Sequence, residues 1–255
     1  MKNKWIAHGT NREQAEVNLI LFTYAGGSPS IFAPWKRLFD EQINLCPVLY
    51  PGRELRRQEA IPDKAEDLAK QFVDDNPELF EKDYVLFGHC TGNILSYEVA
   101  KYAYRKLKKM PKLFIASGSN SPRHSVYGEI LKDENGVDVS DRVLAERMVD
   151  VGIVTADFID NQNFIDYYMP IYRSDVKMLG IFDKDDVMKL DCEIYVLYGR
   201  EDEYVDEDGL KDWSVYTTKG VQAETFEGAH FYITTQKEAL IGKIVGKIER
   251  TENER

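Results

Sequence analysis

Short apolar runs alternate along the chain with longer segments in which apolar residues recur at helical spacing. The runs predict strands at residues 17–23, 43–49, 84–87, 112–117, 193–198 and 221–226. The segments between and after them predict helices at residues 31–39, 65–73, 94–107 and 237–249. Strands that alternate with helices in this way predict an α/β fold, with a mostly parallel central sheet covered by helices on both faces.

Residues 122–186 interrupt this alternation between two late strands. They contain acidic, helix-like segments at residues 140–151 and 163–169 and few strand signals. Pro170 is expected to interrupt the second of these helices, because proline has no backbone N–H to donate. We therefore expect a single domain over residues 1–255, with a helical lid inserted at about residues 122–186.

The charge balance and the cysteines narrow the possible functions. The chain has 33 Lys and Arg against 44 Asp and Glu, a net charge of −11, which argues against binding to nucleic acid or to anionic membranes. No apolar run approaches the ~20 residues of a membrane span, and no secretory signal opens the chain. The three cysteines form no CxxC or Cys/His cluster, so we expect no metal and a reducing, cytoplasmic location.

A glycine-flanked cysteine carries the strongest chemical signal. Gly88-His-Cys90-Thr-Gly92 lies between a predicted strand and a predicted helix, which is where α/β-hydrolases carry their nucleophile on a sharp turn. A helix N-terminus and a nearby histidine can lower the pKa of a thiol from its ordinary ~8.5. Cys90 is therefore the predicted nucleophile, whereas Cys46 and Cys192 lie in or beside apolar strands and are expected to be inert core residues.

The general base is expected to be His230. The chain order of α/β-hydrolases is nucleophile, acid and histidine, and His230 lies between the last predicted strand and the last helix. His89 adjoins the nucleophile, and its side chain is expected to point away from the thiol. His8 and His124 lie before the first strand and at the start of the insertion.

The acid and the oxyanion donors are sought in loops that follow strands. Asp202 is favoured as the acid among several carboxylates after the strand 193–198, namely Glu201, Glu203, Asp206 and Asp208. The predicted backbone donors to the oxyanion are Thr91, which follows the nucleophile, and Ala25, in the loop after the first strand. Gly26-Gly27 beside it is also compatible with an ordinary turn, and the dinucleotide fingerprint GxGxxG is absent.

The chain resembles the type II thioesterases of nonribosomal peptide and polyketide assembly lines. The matching stretches run in family order over nearly the whole chain: Phe22-Thr-Tyr-Ala-Gly-Gly-Ser28, Tyr50-Pro-Gly-Arg-Glu54, Phe87-Gly-His-Cys-Thr-Gly92, Met169-Pro-Ile-Tyr-Arg-Ser-Asp175, Gly199-Arg-Glu-Asp202 and Phe226-Glu-Gly-Ala-His-Phe231. The resemblance implies an α/β-hydrolase with a helical lid that releases acyl or peptidyl groups held as thioesters on carrier-protein phosphopantetheine. By motif match it also implies that Cys90, Asp202 and His230 form the triad, with Ala25 and Thr91 as oxyanion donors.

The chain departs from the family pattern at two positions. Cys90 stands where the family has serine, and Thr91 stands where it commonly has methionine. The second change is harmless if only the backbone N–H is used. The first makes the acyl-enzyme a thioester, which reacts readily with amines, so transfer of the acyl group to an amine is an alternative to hydrolysis.

Two further alternatives stay open from the sequence. One is a cysteine hydrolase of esters or lactones that uses no carrier protein, and the other is a non-catalytic hydrolase fold that serves as a binding partner. The expected partner is an acyl or peptidyl carrier protein, no further cofactor is expected, and the chain is expected to act as a monomer. Arg53, Arg56 and Arg57 are candidate contacts for an acidic carrier and equally compatible with surface ion pairs. The basic run at residues 101–112 is more typical of a solvated helix end, and a dock for an acidic partner is its alternative.

Overall fold

Parallel strands form the centre of the molecule, in a computed structural model that describes residues 3–180 and 183–253. Every neighbouring pair in the sheet is parallel, in the order β2-β1-β3-β4-β5-β6. The strands are β1 Val17–Phe22, β2 Ile43–Pro47, β3 Asp83–His89, β4 Leu113–Ser117, β5 Glu193–Gly199 and β6 Val221–Phe226. The predicted α/β class with a parallel sheet is confirmed.

Helices cover both faces of this sheet. They are α1 Ala65–Asp75, α2 Gly92–Leu107, α3 Asp141–Asp150, α4 Gln162–Gly180, α5 Glu207–Asp212, α6 Tyr232–Thr235 and α7 Lys237–Asn253. Alternate residues of β1 point to opposite faces: Ile20 packs with residues of α1 and α2, whereas Leu21 packs with residues of α7. Apolar side chains on both faces explain why the inner strands β1 and β4 are continuous apolar runs, whereas the edge strand β6 is mostly exposed or half-buried.

The segment between β4 and β5 packs around its own apolar cluster. Helix α3 contributes Leu144 and Met148, and helix α4 contributes Met169 and Tyr172. Ala25, from the loop after β1, belongs to the same cluster. The inserted segment therefore lies over the end of the sheet where β1 terminates. Residues 181 and 182 of the predicted lid lie outside the described residues.

Three local predictions differ from the structure. Helix α4 continues through Pro170 instead of being interrupted, and apolar residues that follow the proline are buried on one face of the helix. Residues Pro29–Arg37 form a 3₁₀ helix, with Pro34 inside it, where an ordinary helix was predicted. Strand β3 does not stop at Gly88 but runs to His89, because Gly88 is paired on both sides, with Phe22 and Ala116. Among the described residues, no helix is long and apolar enough to cross a bilayer.

Candidate active site

Cys90 occupies a tight turn between β3 and α2. Its φ is +56°, a left-handed backbone conformation that residues other than glycine rarely adopt. A Cβ on Gly88 would lie 2.6 Å from the backbone N of Asn93, and one on Gly92 would lie 2.6 Å from the carbonyl oxygen of Phe22. Both positions therefore require glycine, because any side chain would collide with backbone atoms. The turn leaves Cys90 half-buried at the N-terminus of α2.

His230 and Asp202 form a buried pair beside this turn. The Nδ1 atom of His230 lies 2.9 Å from Oδ2 and 3.1 Å from Oδ1 of Asp202. Only 3% of His230 and 6% of Asp202 is exposed, so the contact is shielded from water. The Asp202 carboxylate also accepts the backbone N–H of Tyr204 at 3.0 Å, which fixes the loop after β5 around it.

Burial separates Asp202 from the other carboxylates of its loop. Glu201, Glu203 and Asp208 are exposed. Asp206 caps α5 by accepting the backbone N–H of Gly209 at 2.8 Å. Of the five acids considered from the sequence, Asp202 is the one that the structure places against His230.

The charges around His230 favour its protonated form. Burial lowers its pKa, but the Cys90 thiolate and the Asp202 carboxylate outweigh burial and raise the pKa to about 10. The Nε2 atom, opposite the Asp202 contact, is buried and makes no hydrogen bond within the described residues. Cys90 thus lies close enough to act on His230 electrostatically, and Nε2 is free to exchange a proton with a thiol or a leaving group.

Two backbone donors are available near Cys90. Neither the N–H of Ala25 nor that of Thr91 is bonded to an acceptor within the described part of the chain. Both residues are buried, at 3% and 1% exposed. Unpaired buried N–H groups are rare in native proteins and need an explanation, and an oxyanion formed at Cys90 would supply the missing acceptor.

Four tyrosines lie close enough to Cys90 to interact with it electrostatically, which the sequence analysis did not predict. Burial, and after it the Cys90 thiolate, raises the pKa of Tyr24, Tyr127, Tyr172 and Tyr204. Tyr127 and Tyr172 come from the segment between β4 and β5, and the hydroxyl of Tyr127 is 2.9 Å from Oγ of Ser119. Cys90 therefore lies in a largely aromatic environment, to which the inserted segment contributes.

His89 packs directly against His230. The ring centroids are 5.1 Å apart, and the Nδ1 atom of His89 lies 2.9 Å from Oγ of Ser117. The Ser117 hydroxyl is in turn 2.6 Å from the hydroxyl of Tyr232. Burial, and after it the positive charge of His230, lowers the pKa of His89 well below its ordinary value. His89 is thus a neutral, buried support for the His230 ring.

Two of the three arginines predicted to contact a carrier are buried instead. Arg53 is 4% exposed and forms a bidentate ion pair with Asp175 of α4. Arg56 is 3% exposed, stacks over Trp5 at 3.8 Å and donates to the carbonyl of Leu49. Their prediction as carrier contacts is therefore wrong, because both side chains are buried and bonded to other groups of the fold.

Cys46 and Cys192 behave as core residues. Both are buried, at 2% and 4% exposed, and burial raises the pKa of each thiol to about 12. Neither is therefore a thiolate near neutral pH. Within residues 3–180 and 183–253, no group of three or more His, Cys, Asp or Glu side chains is placed to hold a metal ion.

Comparison with known proteins adds to this geometry. A model of the thioesterase domain family matches residues 17–248. Linear gramicidin dehydrogenase LgrE of Brevibacillus parabrevis is 23% identical over 97% of this chain and 93% of its own. The medium-chain S-acyl fatty acid synthase thioesterase of Anas platyrhynchos is 27% identical over 91% of each chain. The solved structure of RedJ, a thioesterase from the prodiginine biosynthetic pathway in Streptomyces coelicolor, superimposes with a TM-score of 0.81 at 28% identity, over 92% of this chain and 86% of RedJ. The predicted α/β-hydrolase fold is confirmed.

Proposed function

The chain belongs to the thioesterase domain family, and we propose that it releases acyl or peptidyl groups from carrier-protein phosphopantetheine through an acyl-enzyme on Cys90. The observation that carries this proposal is the buried His230–Asp202 pair beside Cys90 at the head of α2. RedJ comes from the prodiginine biosynthetic pathway and LgrE is named for linear gramicidin, and both descriptions favour a role in peptide or polyketide assembly. The name of LgrE also includes a dehydrogenase activity, but this chain lacks the GxGxxG fingerprint of dinucleotide binding.

The mechanism follows from the positions of the donors and acceptors. His230 takes the proton of Cys90, and Asp202 holds the resulting imidazolium in orientation. The thiolate attacks the thioester carbonyl, and the N–H groups of Ala25 and Thr91 stabilise the oxyanion. Collapse of the intermediate breaks the C–S bond of the substrate, and His230 gives its proton to the departing pantetheine thiolate. Water attacks the acyl-enzyme with His230 as base, which frees the acid and restores Cys90.

The cysteine makes a second outcome chemically accessible. A serine nucleophile would form an oxyester, whereas Cys90 forms a thioester like the substrate, so capture of the acyl group is nearly thermoneutral. Thioesters react readily with amines. Transfer of the acyl group to an amine, with release of an amide, is therefore the second candidate function of the same acyl-enzyme.

The proposed carrier contact lies in the turn that follows Arg53. Leu55 is 90% exposed, and Arg57 is exposed two residues later. Two buried arginines anchor the turn: Arg53 donates to the carbonyl of Gly27, and Arg56 donates to the carbonyl of Leu49. An apolar side chain beside a cation suits an acidic carrier protein, and the same turn adjoins the loop that holds Ala25, since Arg53 donates to the carbonyl of Gly27 at 2.9 Å.

Turnover of an acyl-loaded carrier protein tests the proposal. Cys90→Ala should lower the release rate by at least about 10³-fold, because the covalent route is removed. Cys192→Ala, which changes a buried cysteine away from the site, is the matched control and should retain the rate. A Cys90→Ala enzyme with most of its activity would refute the covalent mechanism. Equal turnover of simple esters without a carrier would instead favour the ester or lactone hydrolase.

A competing amine separates hydrolysis from transfer. Products are analysed by mass spectrometry while the amine concentration is raised at a fixed concentration of acyl-carrier. Free acid at every concentration identifies a hydrolase. A growing share of amide that disappears in Cys90→Ala identifies an acyl-enzyme that passes its acyl group to amines.

A further inference from the structure

A buried ion pair ties the insertion to the loop that carries Ala25. Asp175 of α4 is 0% exposed and Arg53 is 4% exposed. The Arg53 guanidinium donates to Oδ2 at 2.7 Å and to Oδ1 at 2.6 Å, across 122 residues of sequence. Removing two charges from water costs several kcal/mol per ion, so a pair of this kind is weak grounds for a role in stability alone.

The remaining hydrogen bonds of the pair all reach the two loops that border the site. The Asp175 Oδ2 atom also accepts the backbone N–H of Gly26 at 2.7 Å. Arg53 also donates to the carbonyl of Gly27 at 2.9 Å and to that of Pro51 at 3.3 Å. Three separate segments are thus joined at one point: the loop after β1, the loop after β2 and the lid helix α4.

One bond of the ion pair and one turn hydrogen bond fix the peptide groups on the two sides of Ala25. The peptide that follows Ala25 is held by the contact of the Gly26 N–H with Asp175. The peptide that contains the Ala25 N–H is held through its carbonyl, that of Tyr24, which accepts the N–H of Gly27 at 2.9 Å. Gly26 has a φ of +72°, and a Cβ there would lie 2.5 Å from the hydroxyl of Tyr168 on α4. The lid helix therefore packs against the loop as well as bonding to it.

We propose that Arg53 and Asp175 are positioning residues that aim the Ala25 N–H at the oxyanion, so that acylation of Cys90 requires α4 to be seated on the loop. The inference rests on the proposed function, because it assigns a role within that reaction. An oxyanion donor works only when it is held in place before charge develops. The ion pair supplies this rigidity without touching the substrate.

The test compares two reactions of the same thiol. Attack on an acyl-pantetheine thioester forms an oxyanion, whereas alkylation by iodoacetamide forms a C–S bond and expels iodide without one. Asp175→Asn replaces Oδ1, which accepts from the second Arg53 nitrogen, by an NH₂ group that cannot accept, so the bidentate contact and the negative charge that hold Arg53 against the loop are lost. It should slow acylation by about 10- to 100-fold, less than the ~10²–10³ lost on deleting a donor, and leave alkylation of Cys90 within about twofold of wild type.

Two further variants separate a positioning role from a general loss of stability. Glu98→Gln breaks another buried ion pair, to Lys101, without a bond to the loop, and should change neither rate. If Asp175→Asn fails to fold, Arg53→Lys carries the same test, because lysine keeps the charge but loses the two-pronged contact. Equal loss of acylation and alkylation, or no loss of either, overturns the positioning role. A wild-type enzyme that alkylates but never acylates overturns the proposed function, and this inference with it.

Discussion

The chemistry of the site depends on how burial distinguishes residues that look alike in the sequence. Cys90 is half-buried at the head of a helix, whereas Cys46 and Cys192 are buried in the core. The motif around Cys90 was sufficient to make this distinction in advance. The choice of Asp202 among neighbouring carboxylates rested on position alone, and only its burial against His230 separates it from Glu203. The contacts of Tyr127 with the site could not be predicted, because nothing local says where an inserted segment folds back.

Asp202→Asn tests the assignment of the acid. The amide cannot stabilise the His230 imidazolium, so the acylation rate should fall by about 10²- to 10⁴-fold. Glu203→Gln removes an exposed carboxylate from the adjacent position and should keep the rate within about twofold. The measurement is a stopped-flow single turnover with an acyl-pantetheine thioester. Equal effects of the two substitutions would mean that Asp202 is not the orienting group.

His89 predicts a pH dependence of stability. Burial keeps folded His89 neutral, whereas the unfolded side chain takes up a proton as the pH falls through about 6.5. The free energy of unfolding should therefore fall below that pH, by at most about 1.4 kcal/mol per pH unit from this group. The His230 contribution has the opposite sign: it is complete below pH 6.5 and is lost only as the pH rises through about 10.

The His89→Gln variant isolates this contribution. Urea unfolding between pH 5 and 8 gives the free energy of unfolding as a function of pH. Below pH 6.5 the slope of this curve should be shallower for the variant than for wild type, by the uptake of up to one proton on unfolding. Parallel curves for the two proteins below pH 6.5 would contradict the account. Such a result would mean that folded His89 binds its proton as readily as the unfolded chain does.

At the scale of elements, the sequence predicted the strands well because apolar runs in a two-faced parallel sheet leave a clear pattern. Strand β1 begins where predicted and ends one residue earlier, and α2 begins two residues earlier than predicted. Helix α4 is an element that the sequence did not predict correctly. A proline predicts a break from local hydrogen bonding alone, but α4 continues through it with Met169 and Val176 both buried. The continuation of α4 past the proline therefore depends on tertiary packing, which the local sequence does not encode.

Gly92→Ala tests the close approach of α2 to β1. The added Cβ would meet the carbonyl oxygens of Phe22 and Thr23, which are backbone atoms and cannot move aside, at 2.6 and 2.7 Å. We expect a loss of about 1–3 kcal/mol in the free energy of unfolding. Gly246→Ala, within α7, meets nothing within 4 Å and should be neutral or stabilising by about 0.5–1 kcal/mol. Urea unfolding of both variants measures these changes. A Gly92→Ala variant as stable as wild type would show that the helix has room for a side chain at this position.

At the scale of the whole molecule, the two candidate docks lie at opposite ends of the parallel strands: the turn of Arg57 follows the C-terminal end of β2, and the basic run precedes the N-terminal end of β4. The basic run ends α2, sixteen residues and about 24 Å along the helix from the end that holds Cys90. Several of its cations are already paired: Lys101 and Arg105 with Asp186, and Lys106 with Asp74. Arg57, by contrast, lies four residues from Arg53, whose guanidinium contacts the loop of Ala25. A carrier at this turn would be near the nucleophile.

Arg57→Glu should weaken use of the carrier without damaging the chemistry. The KM for an acyl-loaded carrier should rise several-fold, and its salt dependence should fall, because a favourable charge has become repulsive. The rate with free acyl-pantetheine should not change. Lys109→Glu makes the same charge reversal at the far end of α2 and is the matched control. A rise in KM for Lys109→Glu but not for Arg57→Glu would place the carrier at the other end of the strands.

The covalent role of Cys90 is tested most directly by intact-protein mass spectrometry after rapid mixing with an acyl-loaded carrier and acid quenching. The account predicts a mass increase equal to one acyl group, mapped by proteolysis to the peptide that contains Cys90, and decaying as product forms. His230→Ala should prevent the adduct from forming. An acyl group found on another residue, or product released at the full rate with Cys90 never modified, would contradict the account.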